Sequence, residues 1–160
     1  MEKKQKSKSN ICPYAKRCGG CDYQGIPYEK QLALRGAAIA QLEQHIRGTG
    51  IVICLENLFS KPMLRSADGI LELIEAAGNG PQLGVCLDIG HLHRVRSHGL
   101  CSDSSRDFIR KAGSRLKALH VHDNLGDTDD HLLPFVAGCR GSCTAVLPGI
   151  KALSAVFLAA

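Results

Sequence analysis

Three short apolar runs, separated by two stretches with helical spacing, dominate the middle of the chain. The runs at 51–55 and 83–87 are continuous and partly β-branched, as in strands buried on both faces, and 116–121 forms a third strand. Between them, 68–77 and 103–112 place apolar residues on one helical face. Strands and helices alternating at this spacing predict parallel βαβ units and therefore an α/β fold.

The ends of these helices and some histidines can also be assigned from local chemistry. Ser66 or Asp68 is suited to cap the first helix, and Gly78 is suited to end it. We expect His93 and His98 to be ordinary loop residues without a functional role.

Acidic and histidine side chains follow each predicted strand and do not occur at the strand starts. They are Glu56 after the first strand, Asp88 and His91 after the second, and His120, His122, Asp123, Asp129 and His131 at or beyond the end of the third. Ligands of α/β proteins bind at the carboxyl ends of parallel strands. Carboxylates and imidazoles together suit zinc, manganese, iron or cobalt, so the pattern predicts a divalent-metal site. Asp88 alone would also suit a helix or turn cap.

These residues stand in motifs that resemble the xylose isomerase-like barrel superfamily over about residues 38–136. The motifs are Leu55-Glu56-Asn57-Leu58, Cys86-Leu-Asp88-Ile-Gly-His91, Leu119-His120-Val-His122-Asp123-Asn124 and Asp129-Asp-His131. The resemblance implies that Glu56, Asp88 and His120 are metal ligands. It also implies that His91 contacts substrate or a further metal, and that Asp129 and His131 are a metal-binding pair.

The superfamily contains sugar-phosphate isomerases and epimerases as well as apurinic endonucleases. The motifs here resemble the small-molecule isomerase branch more closely, which implies a sugar or sugar phosphate as substrate. In that chemistry a base removes a proton next to a carbonyl, and a cation stabilises the negative charge that develops. The resemblance implies that Glu56 is both ligand and base, with His91 as its catalytic companion. A hydrolytic reaction on a phosphodiester is the alternative.

The chain departs from this family in length and in one ligand. A full barrel takes about 250 residues, whereas three strands resembling the fifth, sixth and seventh are visible here. After Val136 the sequence has no Glu or Asp, although the family's last strand carries a carboxylate ligand. We therefore expect a partial (β/α) barrel with weak activity or none, closed if at all by homo-oligomerisation.

The first 35 residues have a different character. They hold the whole net charge of +5, with lysines at 3, 4, 6 and 8, and bring Cys12, Cys18 and Cys21 close together. Three close thiolates suit an iron–sulfur cluster or zinc. Residues 10–35, through Asp22-Tyr-Gln24 and Tyr28-Glu-Lys-Gln-Leu32, resemble the iron–sulfur segment of RNA uridine C5-methyltransferases. That resemblance implies a cluster on the three cysteines and contact with RNA; a disordered, solvated arm is the alternative.

Pattern breaks divide the chain into an irregular Cys-rich arm at 1–35, a partial barrel at 36–136 and an unassigned tail at 137–160. Two families meeting near residue 35 indicate a fusion or chimera. Cys54 and Cys86 lie in apolar runs and are expected to be small buried residues. No apolar run has the length of a membrane span and no signal peptide is visible, so the cytoplasm is the expected location. The function hypotheses are a metal-dependent isomerase or epimerase domain, an RNA-associated cluster module and an inactive remnant.

Overall fold

The computed structural model of the protein describes residue 23 and residues 25–134. The elements in chain order are α1 (Tyr28–Ile46), β1 (Ile53–Glu56), a 3₁₀ turn (Pro62–Leu64), α2 (Ala67–Ala76), β2 (Leu83–Asp88), α3 (Ile89–Ser97), α4 (Ser105–Ala112), a second 3₁₀ turn (Gly113–Arg115) and β3 (Leu116–His120). Cys12, Cys18, Cys21 and the tail at 137–160 lie outside the described residues.

The three strands form one parallel sheet in the order β1-β2-β3. Glu56 lies opposite Cys86, and Asp88 lies opposite His120. The pairing of β2 with β3 is irregular between Val85 and Cys86. The predicted α/β fold with a parallel sheet is therefore confirmed, and each predicted strand is present with slightly different ends.

The hydrophobic core lies between one face of this sheet and the helices α2 and α4. Because side chains alternate along a strand, Leu83, Val85 and Leu87 of β2 point to this layer and are fully buried. The largest helix side chains in the same cluster are Ile70, Ile74 and Phe108. The opposite face of β2 carries Gly84, Cys86 and Asp88, and this face leads to the polar strand ends.

The two predicted helices are present and are capped by side chains. At α2, the hydroxyl of Ser66 accepts a hydrogen bond from the Gly69 amide at 3.2 Å, so Ser66 rather than Asp68 is the cap. At α4, Ser104 and Asp107 form a reciprocal capping box. Such caps satisfy amides that the first turn of a helix leaves without partners.

Helix α1 corrects the expectation of irregular structure up to residue 35, because it begins at Tyr28. Its apolar residues do not form one stripe, since Leu34 and Leu42 are exposed, and the periodicity therefore gave no helix signal. Gly36 packs against α2, where an added Cβ would lie 2.6 Å from the Ala76 carbonyl carbon. The helix also crosses the domain boundary predicted at residues 35 and 36, which stays a prediction.

Helix α3 corrects the expectation that His93 and His98 are loop residues. His93 lies inside the helix and His98 is its C-terminal cap. Gly90 and two histidines weaken the apolar pattern of this segment, so the helix was not predicted from the sequence. None of the helices in residues 25–134 is long and apolar enough to cross a membrane.

Candidate metal centre

The strand ends bring together Glu56, Asp88 and His120. Nδ1 of His120 lies 3.3 Å from Oε1 of Glu56 and 3.5 Å from Oδ2 of Asp88. The Asp88 side chain is 1% exposed, whereas Glu56 is 30% and His120 is 41% exposed. In this group the Asp88 carboxylate is therefore buried, whereas the Glu56 and His120 side chains are accessible to solvent.

The backbone of Asp88 is fixed by a buried amide that was not among the predicted site residues, Asn57. The Asp88 amide donates to Oδ1 of Asn57 at 2.7 Å, and Nδ2 of Asn57 donates to the Asp88 carbonyl at 2.9 Å. Asn57 is completely buried, and a buried side-chain amide requires such partners. The sequence feature that could have identified Asn57 as a site residue is its position directly after Glu56 at a strand end.

The Asp88 side chain is also a helix cap, as its position in the sequence allowed. Its Oδ1 accepts a hydrogen bond from the His91 amide at 2.7 Å and so caps α3. The cap and the strand-end cluster therefore share one carboxylate. The cap fixes the orientation of Asp88 and makes its second oxygen the one that faces His120.

His91 connects the strand ends with the loop after β3. Its Nδ1 lies 2.8 Å from the Asn57 carbonyl oxygen and 3.2 Å from Oε1 of Glu56, and its Nε2 lies 3.1 Å from Oδ2 of Asp129. Burial opposes the charged ring, but the Asp88 charge and the Asp129 hydrogen bond outweigh it and raise the pKa of His91. The pKa of Asp129 is lowered, because contact with His91 outweighs the effect of burial.

A short antiparallel bridge returns the loop after β3 to the cluster. Asp123 and Leu132 exchange two backbone hydrogen bonds, each 2.8 Å long. Between them, Oδ1 of Asp129 lies 3.4 Å from Nε2 of His131, and His131 has a positive φ of 50°. The bridge therefore explains how a polar loop can hold Asp129 near His91 and His131 against His122.

His122 is a site residue that the predicted ligand set omitted. Its buried ring places Nε2 2.9 Å from Oδ1 of Asp88 and stacks on His131 with the ring centroids 4.0 Å apart. The signal was present in the sequence, because His122 is two positions beyond His120 in the same motif.

The spacing of the ligand atoms in this cluster fits a divalent cation. Three sets have ligand atoms that all lie within 4.8 Å of one another, namely Glu56 with Asp88 and His91, Glu56 with Cys86 and His120, and His91 with His122, Asp129 and His131. Tetrahedral zinc with bonds of about 2.0 Å separates its ligand atoms by about 3.3 Å. The atom pair of Glu56 Oε1 and His120 Nδ1, at 3.3 Å, has this spacing. Nδ1 of His91 donates its proton to the Asn57 carbonyl, so His91 would bind an ion through Nε2.

All six residues of the predicted metal set thus lie in one connected cluster, and their role as ligands stays a prediction. Cys86 adds a thiol beside them. Burial, followed by the charges of Glu56 and Asp88, raises the pKa of Cys86 to about 12. Without a metal ion, the thiol is therefore neutral near pH 7.

The family model of the xylose isomerase-like TIM barrel matches residues 9–144. The chain belongs to this family. Its three parallel strands are accordingly part of a TIM-type barrel, a fold that often binds divalent metals. The match includes the cysteine-bearing segment at 10–35, whose resemblance to RNA methyltransferases stays a prediction.

Two relatives and one solved structure also match parts of this chain. The uncharacterized protein y4fM of Sinorhizobium fredii is 43% identical over 53 residues, which cover 33% of this chain and 15% of that protein. The uncharacterized protein MJ1614 of Methanocaldococcus jannaschii is 30% identical over 105 residues, 66% of this chain and 38% of that protein.

The solved structure is the TTHB071 protein of Thermus thermophilus, soaked with ZnCl₂. It superposes with a TM-score of 0.53 at 22% identity, over 82% of this chain and 51% of that one, which supports the fold. The chain thus spans about half of this structure and less than two fifths of either relative.

Proposed function

We propose that this chain is a metal-dependent sugar or sugar-phosphate isomerase domain of the xylose isomerase-like family. The observation that carries the proposal is the convergence of Glu56, Asp88 and His120 at neighbouring strand ends, with the 3.3 Å and 3.5 Å separations that ligands of one ion require. A divalent cation bound there would polarise a substrate carbonyl and stabilise the negative charge that develops on its oxygen.

Glu56 is the residue best suited to move the proton. It is accessible, whereas Asp88 is buried, and its Oε1 lies within 3.3 Å of nitrogens on both His91 and His120. These contacts hold the carboxylate in one orientation. Glu56 would take a proton from the carbon next to the carbonyl and return it to the former carbonyl carbon, while the hydroxyl proton on the first carbon moves to the former carbonyl oxygen.

Isomerisation needs fewer groups than epimerisation. Transfer of a proton between neighbouring carbons on one face of the substrate needs one base, whereas inversion at a carbon needs a second acid on the opposite face. Among the described residues, Glu56 is an accessible carboxylate at the end of a strand, and one such base is sufficient for isomerisation.

Two arginines favour a phosphorylated sugar over a neutral one. The guanidinium carbon of Arg94 lies 4.1 Å from the centre of the Phe59 ring, and that of Arg65 lies 5.9 Å from it. Phe59 is three residues beyond Glu56, and Arg94 is three residues beyond His91. Both guanidinium groups therefore lie on the ring that follows the first strand end, where their charges would attract the phosphate group of a substrate.

The sheet also has room for further strands. Within residues 25–134, β1 and β3 each have a strand neighbour on one side. A second copy of the chain would cover these edges in a homo-oligomer, and further segments of a longer chain would do the same. The cytoplasm remains the proposed location.

The second candidate is an RNA-associated iron–sulfur module. It is supported by the spacing of Cys12, Cys18 and Cys21 and by the basic residues around them. Elemental analysis after anaerobic purification separates the two candidates, because the module requires iron and sulfide that disappear in Cys18→Ser. Protein without iron and sulfide would refute the module.

The isomerase proposal is tested by metal content and by proton exchange. We expect one or more equivalents of Zn²⁺ or Mn²⁺ to remain on the wild-type chain after dialysis, and Asp88→Ala to lose this metal while Asp127→Ala, in the exposed loop, retains it. In D₂O, the metal-loaded chain should introduce deuterium next to the carbonyl of an aldose or ketose phosphate, and Glu56→Gln should not. Full metal retention by Asp88→Ala would refute the proposal.

A further inference from the structure

His122 lies behind the accessible part of the cluster and is oriented toward Asp88. Its side chain is 7% exposed, and its Nε2 lies 2.9 Å from Oδ1 and 3.1 Å from Oδ2 of Asp88. The distance from the same nitrogen to the nearer oxygen of Asp129 is 3.9 Å. The imidazole is therefore placed to donate a hydrogen bond to the Asp88 carboxylate.

The stacking of His122 on His131 argues against both rings binding one ion. The ring planes differ by 4° and the centroids are 4.0 Å apart. The lone pair of an imidazole nitrogen lies in the ring plane, and a ligand nitrogen lies about 2.0 Å from a zinc ion. Two parallel planes at this separation cannot direct both lone pairs to one such point. His131 is the exposed ring of the pair, so it is the one that can face an ion.

Asp88 needs a donor of this kind. Its carboxylate is almost completely buried, and its Oδ1 already accepts the capping hydrogen bond from the His91 amide. A buried carboxylate is costly without hydrogen bonds, and ligand carboxylates in metal sites are usually oriented by a second layer of donors. His122 supplies that donor and prevents rotation of the carboxylate about its capping bond.

Gly90 in the first turn of α3 provides the space for the His122 ring. A Cβ added at Gly90 would lie 2.1 Å from Cε1, 2.6 Å from Nδ1 and 2.7 Å from Nε2 of His122. The φ angle of Gly90 is not in the positive range, so the backbone conformation does not require glycine. Alanine is the better helix former, and glycine here is therefore explained by the ring above it.

We propose that His122 is a positioning residue that orients Asp88 for the metal ion without binding the ion, and that Gly90 is required to admit its ring. The inference rests on the metal site proposed above. It adds to that proposal by assigning His122 to the Asp88 carboxylate and not to the ion.

Metal affinity of three variants tests this assignment. On the metal-free full chain, titration calorimetry with Zn²⁺ should show about 10- to 100-fold weaker binding for His122→Phe, which keeps the stacking but lacks the donor. His122→Gln should bind nearly as tightly as wild type, because its amide can donate to Asp88. His93→Gln, elsewhere on α3, is the matched control. Wild-type affinity in His122→Phe would overturn the proposal, as would a loss in His122→Gln equal to that in His122→Phe.

A double-mutant cycle tests the role of Gly90. Gly90→Ala should weaken Zn²⁺ binding about as much as His122→Phe, and should cause no further loss in a His122→Ala background, where the added methyl group has space. In metal-free protein, the same substitution should destabilise the wild-type chain and stabilise the His122→Ala chain. Equal effects of Gly90→Ala in both backgrounds would refute the pairing. A wild-type chain that binds no Zn²⁺ would refute the metal site, while the stability cycle would still test the pair.

Discussion

The two faces of β2 differ in what they contribute, although they alternate along the same six residues. Val85 and Leu87 are buried against α2 and α4, while Cys86 and Asp88 point to the polar side of the sheet. The helix-covered face is apolar and fully packed, whereas the polar face ends in a cluster of carboxylates and imidazoles. We therefore expect the covered face to determine stability and the strand ends to determine affinity at the proposed metal site, because the register of β2 places the two sets of side chains on opposite faces.

Loss of packing on the covered face should have the largest effect. We expect Ile74→Ala to lower the free energy of unfolding by about 2 to 5 kcal/mol, because it removes a completely buried side chain and leaves a cavity. The affinity of the remaining folded molecules for Zn²⁺ should not change. Urea denaturation followed by circular dichroism measures the first quantity, and calorimetry measures the second.

An exposed leucine gives the matched control for this experiment. Leu42 on α1 is 57% exposed, so Leu42→Ala should change the free energy of unfolding by about 0.5 kcal/mol or less. If Ile74→Ala weakened metal binding as strongly as Asp88→Ala does, the proposed separation between the covered face and the strand ends would be wrong.

An intermediate effect should follow from loosening the loop that carries Asp129 and His131. Leu132→Pro removes the amide that donates to the Asp123 carbonyl, and a proline also disfavours the backbone conformation of His131 before it. We expect Zn²⁺ affinity to fall about 10-fold, as for loss of supporting contacts at metal sites. The free energy of unfolding should change much less than in Ile74→Ala.

Leu133→Pro is the control for this loop, because Leu133 is exposed and its amide forms no backbone bond in the bridge. It should leave Zn²⁺ affinity unchanged. Equal losses in the two proline variants would mean that general loop disorder, and not the Asp123–Leu132 bridge, governs the position of Asp129 and His131.

The same contrast explains how much could be predicted from the sequence. The covered face requires continuous apolar runs and helical spacing, so β1, β2, β3, α2 and α4 were found within a few residues. Parallel strands end at one edge of a sheet, and this brings Glu56, Asp88 and His120 together. Strand ends and residue types predicted a metal site there, while the family resemblance supplied the six residues of the predicted metal set, including Asp129 and His131 in the loop beyond β3.

The elements that were missed depend on tertiary contacts. Helix α3 contains Gly90, which lowers helix propensity and is explained by its contact with His122, a residue distant in sequence. In the sequence, Asn57 has a residue type that is common in turns, and only its two hydrogen bonds with Asp88 show that it supports the site. The conformation of the loop between Asp123 and Leu132 depends on one bridge that leaves no periodic pattern. Such contacts join distant segments, and spacing along the chain does not report them.

The smallest effect should come from a second helix-capping carboxylate, Asp107, which lies away from the strand ends. Its Oδ2 accepts hydrogen bonds from the Ser104 hydroxyl at 2.5 Å and from the Ser104 amide at 3.2 Å. Both bonds lower the pKa of Asp107, and the bond from the Ser104 hydroxyl has the larger effect. Unlike Asp88, this carboxylate is exposed and serves structure alone, so Asp107→Asn should leave Zn²⁺ affinity unchanged.

The stability effect of Asp107 should depend on pH in a defined direction. A lowered pKa means that the unfolded chain binds this proton more readily than the folded chain, so the stabilisation is complete above the unfolded pKa and is lost as the pH falls through the folded pKa. Asp107→Asn should therefore be less stable than wild type in urea denaturation at pH 7, and the difference should shrink steadily below about pH 4. A difference that stayed constant down to about pH 3 would show that the charge of Asp107 does not contribute, and that the amide of asparagine is a poorer cap for geometric reasons.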